Sequence, residues 1–296
     1  MKLRAYHWLS LLVNPFRCYH PALRKKIPGR HFAKNLIERR TLIFQLVKRD
    51  FQQRYVGSAA GWLWGLIHPL VLLAIYTFVF SFCLGNTLDA GEVTQSYPLF
   101  LFAGLLPWLL FYETVQRSSG SIVEQANLVT KTMFPSEIVP LSIFLSSLVS
   151  HLLAVGLFVV VVGVTRRHLS PMLALLPLSV LIVGLFAVGI GWIVASLQVY
   201  LRDTVQVVMV TLNVWYWITP IMVPASKFPA ARFPRSVHAA LAGNPLAYIV
   251  DTYRQMLLGN VLPWRDLGIA AGFGVTAFVL GGLFFRHMKR GFADVL

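Results

Sequence analysis

The sequence predicts an all-α integral membrane protein. It has six transmembrane helices, an N-terminal amphipathic interfacial helix, short external re-entrant helices between spans 5 and 6, and both termini in the cytoplasm. Three observations lead there. Apolar residues make up 57% of the 296 positions and charged ones 12%, about half the charged share of an ordinary soluble domain, and the mean hydropathy is +0.68. Apolar runs of about 18 residues or more recur along the chain, whereas the alternating strands of an outer-membrane barrel do not. Finally, 13 of the 26 Lys and Arg precede residue 56, against only Glu38 and Asp50. The positive-inside rule and attraction to anionic cytoplasmic lipid both favour that asymmetry. The net charge of +15 is therefore read as a topology signal and a contact with membrane lipids, with no nucleic acid as partner.

Residues 1–34, broken by Pro15, Pro21 and Pro28, read as a cytoplasmic N-terminal extension. Their first apolar patch, Tyr6 to Val13, is short, and Asn14-Pro15-Phe16-Arg17 is a poor cleavage site, so no signal peptide is expected. Residues 35–58 read as the interfacial helix. Leu36, Ile43, Val47 and Phe51 share one face, while Glu38, Arg39, Gln45, Arg49 and Gln52 lie largely on the other. Asp50 and Arg54 stand four apart and can pair.

Residues 59–290 hold the six-span domain, with spans at about 59–84, 98–118, 141–164, 173–199, 205–221 and 267–285, and 291–296 form a short tail. The loop after the first span carries Asp89 and Glu92 without Lys or Arg and is placed outside. Residues 120–140 are too polar for lipid and are punctuated by Pro135 and Pro140, so they form a cytoplasmic segment. Arg166-Arg167-His168 becomes an external turn against the local charge rule, because the basic N-terminus outweighs one short loop. Residues 222–265 contain Pro224, Pro229, Pro234 and Pro245 yet are too apolar for a free loop, which predicts external helices dipping into the outer leaflet, near Val237–Leu241 and Leu246–Leu258. No internal repeat is visible, so the inverted repeats of secondary transporters find no support.

Most catalytic chemistry is excluded. No glycine is followed by lysine, so the chain has no Walker cradle, and there is no G-x-S-x-G elbow, H-E-x-x-H helix or close carboxylate pair. Cys18 and Cys83 fall on opposite sides of the membrane, which excludes a disulfide framework and a thiolate metal cluster. No metal site and no cofactor are expected in this chain. His68 and His151 lie within spans, as packed polar contacts or as part of a pathway. Glu113 and Arg117 are spaced as a local ion pair at the inner end of the second span.

The run Leu46 to Phe51, then Arg54-Tyr55, Gly57-Ser58, Gly61-Trp62-Leu63-Trp64 and Pro69, resembles the opening of the permease subunit of bacterial polysaccharide ABC exporters. These are the type-2 exporters of O-antigen, capsule and teichoic acid. The likeness recurs at Asn127 to Lys131, at Phe134-Pro135-Ser136-Glu137 to Pro140, and at Tyr200-Leu201-Arg202-Asp203. It also covers Thr219-Pro220-Ile221, Asn244-Pro245-Leu246 and Tyr253-Arg254, and so spans about residues 40–290 in chain order. The resemblance implies a homodimer of six-span subunits in the bacterial inner membrane, with a translocation path between them for a lipid-linked polysaccharide. It further implies two copies of a cytoplasmic ABC ATPase that hold ATP and Mg²⁺. The segment carrying Glu124, Asn127, Lys131, Phe134 and Pro135 becomes the coupling helix, and the helix with Arg49, Asp50, Arg54 and Tyr55 also lies against the ATPase. Arg202 and Asp203 either join that contact or cap a turn.

Substrate contacts are open between two readings. Trp62, Trp64, Tyr76, Trp215, Tyr216 and Trp217 either pack against sugar faces in the path or belong to an interfacial aromatic belt. Arg232, Arg235 and Arg254 either bind a lipid-linked pyrophosphate or snorkel to headgroups. A type-2 exporter of drugs or small lipids is the alternative cargo class. A membrane-embedded glycan-modifying enzyme would need a carboxylate or metal constellation, and a simple channel would not need the 120–140 segment.

Overall fold

In the computed structural model, the structure describes residues 39–83, 85, 88–89, 91–131, 135–224, 227, 239, 241–261 and 263–296. Helix α1 (Arg40–Tyr55) turns Leu46 inward, with Ile43, Val47 and Phe51 half-buried and Lys48, Arg49 and Gln52 exposed, as its periodicity predicts. It stops where Gly57 takes a left-handed φ of 78°, a conformation that glycine adopts without strain. The first span is one apolar stretch of 23 residues. It comprises a 3₁₀ turn at Gly61–Leu63, α2 (Trp64–Thr77) with Pro69 inside it, and a π-helical turn at Phe78–Cys83.

Five more helices and their connectors follow. These are α3 (Tyr97–Glu124), the short α4 (Ala126–Lys131), α5 (Ile138–Arg166), α6 (Leu176–Tyr200) and α7 (Thr204–Ile218). A 3₁₀ turn at Pro171–Leu175 leads into α6, and the Ser170 hydroxyl caps it by accepting from the Met172 N–H. Helix α8 (Pro245–Leu258) is capped in the same way, the Asn244 side chain accepting from the Leu246 N–H. The chain ends with α9 (Trp264–Met288), a 3₁₀ turn at Lys289–Gly291 and α10 (Phe292–Val295). No strand occurs among the described residues.

Among the described residues, five stretches are long and apolar enough to cross a membrane: Gly61–Cys83, Tyr97–Glu124, Ile138–Arg166, Pro171–Tyr200 and Trp264–Gly291. The expected fifth of six spans is α7, whose 15 residues extend only about 22 Å, short of a hydrocarbon core of about 30 Å. The polar segment after the second span also differs from expectation. Its first residues, Gly120 to Glu124, are the last turns of α3, because Ser119, Ser121 and Ile122 are buried and hold the helix together beyond residue 118. The N-terminal extension, residues 35–38 and the Val237–Leu241 segment fall outside the described residues, apart from Ala239 and Leu241.

The core lies where α3, α6, α8 and α9 meet. Helix-on-helix packing in lipid gains little from apolarity and relies on small residues that let backbones touch. A Cβ on Gly281 would lie 2.1 Å from the Gly189 carbonyl oxygen, and one on Gly189 would reach the Ala277 carbonyl at 2.4 Å. The α6 and α9 backbones are therefore in direct contact there.

Helix α8 sits against this core with Leu246, Ile249, Val250, Tyr253, Met256 and Leu257 buried. The apolar periodicity of 246–258 predicts this helix, and its buried face is the apolar one. Arg166, the charge that broke the local topology rule, donates to the Leu258 and Val93 carbonyls at 2.9 and 3.4 Å. Its position thus answers to packing at the end of α5.

Candidate functional site

One end of the bundle carries a dense cluster of charge around Asp50, Arg54, Glu113 and Arg117. There α1, α3 and α4 enclose a groove of about 490 Å³ lined by Arg49, Asp50, Gln53, Arg54, Arg117, Glu124, Gln125, Asn127 and Leu128. Two stretches separated by some seventy residues in the chain are thus brought to one surface. Glu124, Asn127 and Arg49 are exposed on it, whereas Asp50 and Arg54 face inward.

The inward pair belongs to a four-residue ion network joining α1 to α3. Arg117 donates to both Asp50 oxygens, at 2.6 and 3.1 Å, the bidentate geometry that makes Arg–carboxylate pairs strong. Arg54 lies 3.6 Å from Asp50, pairs with Glu113, and donates to the Ser147 hydroxyl of α5 at 2.9 Å. Burial by itself would raise the Asp50 carboxyl, but the hydrogen bond and charge of Arg117, with the charge of Arg54, outweigh it and hold Asp50 below its usual range. The expected Glu113–Arg117 pair exists only at 3.9 Å, the longest contact of the set. Each partner is instead used across helices, because Asp50 projects between them. Sequence spacing holds the clue: Asp50 stands on the stripe of Ile43 and Val47, an apolar face where a carboxylate requires a partner.

A second tie lies close by. Lys289 donates to both Glu137 oxygens at 2.9 Å, joining the end of α9 to the start of α5. The Trp192 indole donates to the Glu137 carbonyl at 3.0 Å, and α10 packs on α4. Sequence context named Glu137 within a motif but did not pair it with Lys289, since the two stand 152 positions apart. Arg202 and Asp203 are exposed in the α6–α7 turn, where Asp203 precedes α7 without a side-chain cap bond. Pro135 begins the turn before α5, its carbonyl accepting from Ile138. Phe134 lies outside the described residues, as do the side chains of Lys131 and Tyr55.

The expected substrate aromatics divide. Trp215 is half-buried, donates to the Asn244 side chain at 2.9 Å and meets Phe111 edge-on at 5.4 Å. It packs the joint between α7 and α8. Tyr216 sits among Trp108, Tyr76 and Trp217 with centroids 5.2, 6.3 and 5.7 Å away. Trp217 is 67% exposed, and Trp62 and Trp64 about half.

Arg254 corrects a further expectation. It is 3% exposed, and its guanidinium donates to the carbonyls of Phe100, Pro220 and Ile221 at 3.2, 2.8 and 2.6 Å. It lies 3.6 Å over the Phe100 ring, against Gly104, where any Cβ would collide with it at 2.6 Å. Its donors are taken by backbone acceptors, so it neither snorkels nor offers a phosphate site. Arg232 and Arg235 lie outside the described residues.

The ABC-2 type transporter family profile matches residues 41–258. The chain belongs to this family. It is an integral membrane transport subunit and not an enzyme. Among the permease's relatives is the O-antigen export system permease protein RfbA of Myxococcus xanthus, 28% identical over 262 residues, which are 88% of this chain and 97% of the relative. The protein of the same name in Klebsiella pneumoniae is 26% identical over 86% of this chain and 95% of its own length. The polysialic acid transport protein KpsM of Escherichia coli is 24% identical over 83% and 92%. Among the described residues, no group of three His, Cys, Asp or Glu could hold a metal ion.

Proposed function

We propose that this permease forms the transmembrane part of an ATP-driven exporter that moves a lipid-linked polysaccharide, of O-antigen or capsule type, across the bacterial inner membrane. The names of its relatives, matched over most of both chains, support the cargo class. In this reading two copies form a homodimer, each bound to one cytoplasmic ABC ATPase subunit that carries ATP and Mg²⁺. Both termini are cytoplasmic, and α7 with the buried Thr219, Ile221 and Met222 makes the short fifth of six crossings.

The observation that carries the mechanism is the groove on which α1 and α4 converge. ATPase closure pushes on Glu124, Asn127, Lys131 and Phe134-Pro135, with Arg202 and Asp203 at the rim. The Asp50–Arg117 and Arg54–Glu113 pairs pass that push into α3, and the Arg54–Ser147 bond passes it into α5. The seam between the two copies then opens. Trp217, with Trp62 and Tyr76, faces the sliding glycan, and Arg232 and Arg235 hold headgroups or pyrophosphate on the outer side.

Co-purification tests the partnership. A tagged permease in mild detergent is expected to retain its ATPase at one-to-one stoichiometry, and Arg49→Glu with Asn127→Trp is expected to release it while the permease stays monodisperse. Retention of the ATPase by that double variant would remove the groove from the docking surface.

A further inference from the structure

Helix α4 has six residues, well below the length of about 12 at which a helix becomes marginally stable by itself in water. Its position is therefore set by what packs on it. Among the described residues its main partners are the end of α3, which it follows after Gln125, and α10, the last helix of the chain. Residues 126–131 and 292–295 meet although most of the membrane domain separates them in sequence.

Helix α10 reaches α4 from a fixed base. Beside the 3₁₀ turn Lys289–Gly291 that ends α9, the Tyr200 hydroxyl of α6 donates to the Met288 carbonyl at 2.8 Å. A Cβ on Gly291 would come within 2.5 Å of that hydroxyl, so a larger residue there would displace it. Phe292 is 1% exposed, edge-on to Phe285 of α9 at 5.5 Å, and 6.2 Å from the Tyr200 ring. These contacts join α10 to the α6–α9 pair, whose backbones touch at Gly189 and Gly281. The residue that opens α5 is tied to the same pair, since Lys289 holds the Glu137 carboxylate and the Trp192 indole of α6 holds the Glu137 carbonyl.

The Glu137 and Lys289 side chains are 30% and 33% exposed, and an ion pair so open to water adds little to stability. What it fixes is position, because both carboxylate oxygens are engaged. We propose that the segment Lys289–Val295 is a transmission brace that carries movement of α4 into α6 and α9, with Glu137 and Lys289 as its positioning residues. The brace complements the ion network of α1, which reaches α3 and α5. It rests on the export reading, since only a docked ATPase gives α4 a movement to transmit.

The test uses the full permease with its ATPase, in cells deleted for the permease gene and as the complex purified into lipid nanodiscs. Glu137→Lys and Lys289→Glu are each expected to retain the ATPase, with hydrolysis within about twofold of the unaltered complex, while surface glycan falls about tenfold. Glycan exported per ATP hydrolysed is the deciding readout, because loss of folded complex would lower export and hydrolysis together. The double swap re-forms the pair and is expected to recover about half of export or more.

Normal export by both single variants, release of the ATPase, a parallel fall in hydrolysis and export, or no recovery in the double swap would each overturn the brace. Where a charge reversal yields no folded complex, Lys289→Gln takes its place, with export expected to fall about threefold at unchanged hydrolysis. Export at the unaltered level would overturn the brace equally. The unaltered permease separates two failures. If it restores surface glycan, export stands whatever the variants show. If it restores none, the export reading falls and the brace falls with it.

Discussion

The first span and α3 make opposite use of similar sequence. Gly61–Cys83 has the higher mean hydropathy, 2.1 against 1.5, yet 6% of its apolar stretch is buried within the protomer against 78% for Tyr97–Glu124. In lipid, apolarity measures compatibility with acyl chains, and burial is marked by residues that pack closely or need partners. Helix α3 carries Gly104, Thr114, Ser118, Ser119 and Ser121 inside, whereas the first span shows Leu70, Val71, Ile75, Phe78 and Phe82 outward. One is the post around which a protomer is assembled. The other is a wall that turns its apolar side chains away from that core.

That contrast is broken most directly by steric change. Gly281→Val drives a side chain onto the Gly189 backbone and is expected to cost about 3 kcal/mol or more, seen as loss of the monodisperse peak in size-exclusion chromatography. Ile75→Ala, 50% exposed, is expected to cost less than about 0.5 kcal/mol in the thermal unfolding of the same preparation. Comparable losses would place the first span in the core after all.

Removing Arg254 tests the post from its other end. Arg254→Met leaves three carbonyls without donors and is expected to cost about 3 kcal/mol. Arg254→Lys should recover part of this, with thermal unfolding as the readout. No loss would mean that α8 docks without its guanidinium clamp.

At the charged end the effects are smaller and more functional. Asp50→Asn and Arg117→Gln are each expected to cost about 1 kcal/mol, with a coupling of about 0.5 kcal/mol or more in a double-mutant cycle. Export should fall further than stability does, because the pair joins α1 to α3. Strict additivity would show that the two side chains act independently.

The smallest effect is on pH dependence. Asp50 is held below its usual range, so its contribution is present in full above the unfolded value of about 3.9. It is lost as pH falls through the lower folded value. Thermal stability should therefore gain nothing from this pair between pH 5 and 7, and Asp50→Asn should flatten part of the decline below about pH 4.

Much of this was legible in the chain. Hydropathy located five of the expected spans as long apolar helices, although α3 runs on to Glu124, and the apolar periodicity of 246–258 located α8. What escaped was pairing at a distance. Arg254 was visible as a charge on an apolar helix, but its acceptors come from residues 33 to 154 positions away. Asp50 was visible on the wrong face of α1, but Arg117 is 67 positions on. Trp215 to Trp217 read as one aromatic unit, while the helix turns Trp215 inward to Asn244 and Trp217 outward. Local pattern reports a side chain's class, and tertiary contact decides its role.

Glycan export in a reconstituted host tests the central claim most directly. In bacteria deleted for the permease gene, with the ATPase retained, plasmid-borne wild-type chain is expected to restore surface polysaccharide. Chains carrying Asn127→Trp with Arg49→Glu are expected to leave lipid-linked glycan accumulated inside the cell. Restoration by both chains, or by neither, would contradict an exporter driven through the α1–α4 groove.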